Sequence, residues 1–167
     1  MSPSGLPPTG NVGFNNGGNM YKNILIATDG SELATTAVSQ GLEPAKTCGG
    51  KATIVTVTDI WSALEMAQSV QTGEQNPVDL YEETEAEAAG TIPAAASAQG
   101  EKAGVTCETR HIQDRHPAER IIDAAGSKGC DLIVMASHGR RGIAKILLGS
   151  VASEVLTHSR IPVLIVK

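Results

Sequence analysis

What most constrains this chain is a repeated alternation of short β-branched or apolar runs with Ala-rich stretches of helical period. Residues 22–28 (KNILIAT) form an apolar run ending at Asp29-Gly30-Ser31, which predicts a strand handing over to a helix with Ser31 as N-cap. Leu33, Ala34, Ala37, Val38, Gly41, Leu42 and Ala45 then recur at helical spacing, one apolar stripe on a helix of about four turns. Gly49-Gly50 ends it, and residues 52–59 (ATIVTVTD) read as a second, β-branched strand. Residues 61–76 read as a polar connection with a Gly-Glu-Gln-Asn-Pro break. Residues 78–102, rich in Ala and Glu, predict a long helix that Gly90 and Pro93 interrupt or kink. Residues 105–113 alternate in the manner of a half-exposed edge strand. Pro117 suits a first helical position, and Ala118, Ile121, Ile122 and Ala125 supply the next helix's buried face. Residues 130–137 (CDLIVMAS) are almost continuously apolar, as a strand covered on both faces must be. After a loop and a further helix, residues 161–167 (IPVLIVK) close the chain as a last strand.

The resulting order, β-α-β-α-β-α-β-α-β, implies an α/β fold: an open, mainly parallel five-stranded sheet with helices on both faces, Rossmann-like in plan. Such sheets take ligands beyond the carboxyl ends of their strands, where the strand order switches. Attention therefore falls on residues 27–31, 57–60 and 135–151. Residues 1–20, rich in Gly, Pro and Asn and without hydrophobic periodicity, read as a flexible leader. Met20 is where the fold is expected to begin, leaving one domain over residues 21–167.

Composition narrows the function. Aromatics are 2% of the chain, too few for the stacking platforms that hold single-stranded nucleic acid. A net charge of −5 removes the broad basic surface that phosphate backbones require. Basic residues cluster only at Arg140, Arg141 and Lys145, a patch the size of a small molecule. The three cysteines, Cys48, Cys107 and Cys130, stand singly without metal-type spacing and read as reduced thiols in a cytoplasm. No apolar run approaches the ~18 residues of a membrane span, and no signal peptide is legible.

The segment from Met135 to Val151 (MASHGRRGIAKILLGSV) carries the chemistry. It leaves a buried strand, passes glycines at 139, 142 and 149, and enters a helix near Ser150. Glycines let backbone amides approach an anion without Cβ interference. The amides of Ser150, Val151 and Ala152 would stand unpaired at the positive end of a helix, with the Ser150 hydroxyl beside them. This is a phosphate cradle, although neither GxxxxGK[ST] nor GxGxxG is present. A loop whose glycines serve turns only is the alternative from spacing alone.

Here the sequence resembles the universal stress protein family, whose nucleotide-binding members carry G-x2-G-x9-G-[ST] at this place. Gly139, nine intervening residues, Gly149 and Ser150 match that spacing, while Ala136 stands at the first glycine. The opening KNILIATDGSE and closing IPVLIVK resemble the family's ends, so the likeness spans residues 20–167. The resemblance implies an adenine-nucleotide-binding, stress-response regulator holding ATP or AMP, with Mg²⁺ able to accompany a triphosphate. It implies that Asp29 lies by ribose or adenine, that Ala27 and Thr28 present backbone to the base, and that Val57 packs on it. Met135 and Ala136 would flank ribose and phosphates, and Gly139, Gly149, Ser150 and Val151 would supply phosphate amides. Arg140 is a further phosphate contact or else a solvated loop residue. A glycine position demanding positive φ would penalise Ala136; otherwise its methyl narrows the site. The resemblance further implies a homodimer through the last strand, Pro162 to Val166, an apolar edge that invites pairing.

Other residues read more plainly. His138 lies in the loop, but no Ser-His-Asp or Cys-His set can be assembled, and it is expected to be a structural turn residue. His111, His116 and His158 are dispersed, so no metal site is expected. The acidic run from Glu82 to Glu87 reads as an exposed helix face. Two rivals remain: a slow ATP hydrolase or self-phosphorylating protein acting through Ser150, and an interaction module without nucleotide.

Overall fold

The computed structural model describes residues 20–60, 76–140 and 148–167. The leader, almost all of the 61–76 connection and the middle of the glycine-rich loop lie outside the described residues. Five strands are present: β1 (Asn23–Ala27), β2 (Lys51–Thr58), β3 (Thr106–Gln113), β4 (Leu132–Ala136) and β5 (Val163–Val166). Between them run α1 (Glu32–Thr47), α2 (Pro77–Ala86), a π turn (Glu87–Thr91), α3 (Ile92–Ala103), α4 (Pro117–Ser127) and α5 (Ser150–His158). The strand order is β3-β2-β1-β4-β5, and all four pairings are parallel.

Alternation along each strand divides the core into two layers. Ile24 and Ile26 of β1, Ile54 of β2 and Val134 of β4 face α1 and α3, against Ala37, Val38, Leu42 and Ala96. Leu25, Val55 and Ile133 point the other way, against Ile121 and Ala125 of α4 and Val155 of α5. β4, apolar throughout, is buried at all five positions because helices cover both of its faces. β3 and β5 are the sheet edges, as their patterning predicts.

The helix starts follow their capping residues. Ser31 Oγ accepts the Ala34 amide at 3.2 Å, and the predicted stripe from Ala34 to Ala45 is buried, with Leu33 half-buried at its margin. Pro117 opens α4. The 78–102 segment is interrupted where Gly90 and Pro93 predict. Regular α-helix gives way between α2 and α3 to the π turn that holds Gly90 and ends just before Pro93, where the Ile92 amide donates to the Glu87 carbonyl five residues back. The widened turn leaves room for the ring and the missing donor of Pro93. The acidic run is corrected. Glu82 and Glu83 are exposed, but the Glu85 side chain is only 15% exposed, because it turns inward to face His111 at 3.7 Å and accept from Gln113 on β3.

β1 is central, with β2 on one side and β4 on the other. The direction of winding therefore reverses between β1 and β4, the switch point at which doubly wound sheets form a ligand crevice beyond the carboxyl ends of their strands.

Candidate functional site

Ala27, Val55 and Met135 lie in one register row across β2, β1 and β4, all on the α4–α5 side of the sheet. β2 runs three residues further than its last pairing with β1, so Val57 stands one pleat above that row, half-buried on the same side. Together they make an apolar floor at the end of the sheet. Thr28 follows, its amide donating to the Val55 carbonyl at 2.9 Å and its hydroxyl accepting from the Gly30 amide at 3.2 Å.

Asp29 is the fastening of the site. Its Oδ1 accepts the Ser31 amide at 3.0 Å, and its Oδ2 accepts the Arg140 amide at 2.7 Å. One carboxylate thus joins the turn after β1 to the loop after β4, 111 residues away. The helix cap is Ser31, so Asp29 supports the cap from two residues outside rather than supplying it. Gly139 lies against the same carboxylate, and a Cβ there would collide with Asp29 Oδ2. That close approach is the reason for a glycine at 139.

The stems of the loop are pinned as well. The Gly149 amide donates to the Ser137 carbonyl at 2.6 Å, and the Ser137 amide to the Val166 carbonyl of β5 at 2.8 Å. Gly149 is also the N-cap of α5. Of the four amides assigned to phosphate, that of Gly149 is therefore already bonded, because it closes the loop base. Ser150 and Val151 occupy the first turn of α5, whose amides have no helical acceptor and carry the positive end of the dipole. Gly142 and Lys145 lie outside the described residues.

Ala136 is the last residue of β4, paired with Val166, and Tyr21 is the one described non-glycine residue with positive φ. Its methyl belongs to the core layer beneath α1 and is 8% exposed. Alanine at this position is therefore unstrained, and its methyl fills core rather than crevice.

Two charged side chains frame the opening. Arg140 Nη1 reaches 2.8 Å from Glu87 Oε2 of the π turn, and its guanidinium passes over Gly30 together with Ile92. Gly30, at φ 77°, has no room for a Cβ beneath them. Glu87, Ile92 and Gly30 are neighbours that spacing alone does not reveal, since they come from distant segments. His138 Nδ1 lies 3.1 Å from the Ser137 hydroxyl. His111 contacts Thr58 Oγ1 at 2.8 Å, at the far end of the β2–β3 edge. Among the described residues no three His, Cys, Asp or Glu side chains gather as a metal site, and no helix is long and apolar enough to cross a membrane.

A parallel sheet wound to both sides, with glycines at the stems of a loop and a helix N-terminus at its switch point, defines a doubly wound α/β domain. The chain belongs to the universal stress protein family, which it matches over residues 20–167. It is 32% identical over 152 residues to a universal stress protein of Methanocaldococcus jannaschii, covering 91% of this chain and 85% of the relative. Another M. jannaschii universal stress protein has a solved structure with TM-score 0.69 and 30% identity, over 89% of this chain and 97% of that one. A universal stress protein solved in complex with cAMP gives TM-score 0.61 and 28% identity, over 88% and 97% of the two chains.

Proposed function

We propose that this chain binds an adenine nucleotide, ATP or AMP, beyond the carboxyl ends of β1 and β4 and acts as a stress-response regulator. The observation that carries the reading is the Asp29 carboxylate holding the Gly139-Arg140 backbone against the β1 turn. It creates one crevice with an apolar floor for a base and helix-end amides for phosphate. The cAMP complex of a relative 28% identical to this chain supports the ligand class. In this reading Ala27, Thr28, Asp29 and Val57 meet the nucleoside, Met135 and Ala136 border the ribose side, and Gly139, Arg140, Ser150 and Val151 serve the phosphates. Gly149 acts by closing the loop base. The protein works in the cytoplasm as a homodimer paired along β5, and Mg²⁺ accompanies ATP when that is the ligand.

Mass spectrometry of the denatured purified protein, with thermal shifts in added AMP and ATP, tests this. A co-purifying adenine nucleotide, or a clear upward shift, is the expected result. Neither one appearing would return the chain to the reading of a nucleotide-free interaction module.

A further inference from the structure

Arg140 makes two attachments that pull in opposite directions. Its amide is fixed to Asp29 at 2.7 Å, which anchors the residue at the loop. Its guanidinium instead reaches across Gly30 to Glu87 Oε2 at 2.8 Å, on the π turn of the opposite wall. The side chain thus spans the mouth of the crevice like a strap, with Ile92 of the same wall resting on Gly30 beside it.

Both ends of the strap are solvent-accessible, with side-chain exposures of 45% and 42%. Ion pairs so exposed are weak, because water screens the charges and two long side chains must be ordered. A phosphate presents a guanidinium with more charge and paired oxygens, and forms the stronger charge-assisted bonds. The backbone of Arg140 is already tied to Asp29, so its guanidinium can change partners without moving the loop. The other wall is a π turn, a widened segment of helix of the kind that often marks functional positions.

We propose that Glu87 is a built-in competitor for the ligand's phosphate: it holds Arg140 in the empty protein, is displaced when phosphate arrives, and thereby releases the π turn. The inference rests on the adenine-nucleotide reading of the crevice and assigns that site a means of signalling occupancy. Glu87 also becomes a determinant of affinity without touching the nucleoside.

The test is AMP binding by titration calorimetry to the wild type and to Glu87→Gln, with hydrogen exchange followed over residues 87–92. Removing the competing charge should tighten AMP binding by about threefold to fivefold, the scale of an exposed ion pair. AMP should speed exchange at the π turn in the wild type, while Glu87→Gln exchanges fast from the outset. Equal affinities in the two proteins, or exchange at the π turn that AMP slows, overturns the strap while leaving nucleotide binding intact. No AMP binding by either protein overturns the nucleotide reading and the strap together.

Discussion

At Gly139 one hydrogen atom is all that fits between the backbone and the Asp29 carboxylate. Gly139→Ala should therefore push the loop off β1, costing about 1–3 kcal/mol as a small-to-large change at a tight site. The crevice would open with it, so AMP affinity should fall by roughly tenfold or more; melting and calorimetry on the same sample measure both. Ala136 gives the opposite expectation. Its backbone lies in β4 and its methyl in the core, so Ala136→Gly should leave AMP affinity within about twofold while costing about 1 kcal/mol in stability. A gain in affinity from that exchange would show that the methyl obstructs the ligand. Cys107 and Cys130 behave as small hydrophobes, packed against the two core layers. Burial, with Asp131 adding to it, pushes the Cys130 thiol up to about 11, and burial raises Cys107 as well.

Elements in this fold are set by local pattern but trimmed by their neighbours. Gly41 sits in the middle of α1, where helix propensity alone favours alanine by about 1 kcal/mol. A Cβ there would meet Ile26 side-chain carbons at 2.8 and 2.9 Å and Val134 Cβ at 3.3 Å. Gly41→Ala is therefore expected to destabilise the protein by about 1–3 kcal/mol, read from the urea midpoint, because α1 would have to lift from the sheet. Stabilisation would mean that the helix seats more loosely than this contact implies. The π turn teaches the same lesson. Gly90 and Pro93 are plain in the sequence and argue for an interruption, but that it takes the form of a π turn rather than a loop depends on packing, since Ala88, Pro93 and Ala96 are all buried. Glu85 escapes the pattern for a related reason. An acidic run on a helix reads as a solvated face, whereas the partners that draw Glu85 inward, His111 and Gln113, belong to β3.

Across the whole molecule, the proposed dimer depends on β5, an edge strand whose Leu164 remains 39% exposed in the single chain. Leu164→Lys should convert a dimer to a monomer in sedimentation equilibrium without loss of fold; a wild type that sediments as a monomer would dismiss the pairing. Acid response is also a property of the whole surface. Lys128, hydrogen-bonded to Glu108 at 2.6 Å, holds that carboxyl below its usual range, and the His116 amide does the same for Asp114 at 2.9 Å. Because both values are lowered on folding, the stability they confer is present above the ordinary carboxylate range of about 4. It is lost as pH falls through the lowered values, so the urea midpoint should decline there, and Glu108→Gln should flatten part of that decline.

Element order and sheet polarity were legible in the sequence, since periodicity reports which residues are buried and βα alternation permits few topologies, whereas the strand order came from the pairings themselves. The spacing of Gly139, Gly149 and Ser150 carried the family resemblance for a similar reason, because a backbone cradle needs small residues at set intervals. Tertiary structure decided everything that depends on which distant segments meet. It set Asp29 against Gly139 and Arg140, turned the Gly149 amide to Ser137, seated the Ala136 methyl in the core, and joined Arg140 to Glu87. The contacts of Arg140 with Glu87 and with Asp29 arise from strand pairing and helix docking across separations of 53 and 111 residues, which no local pattern encodes.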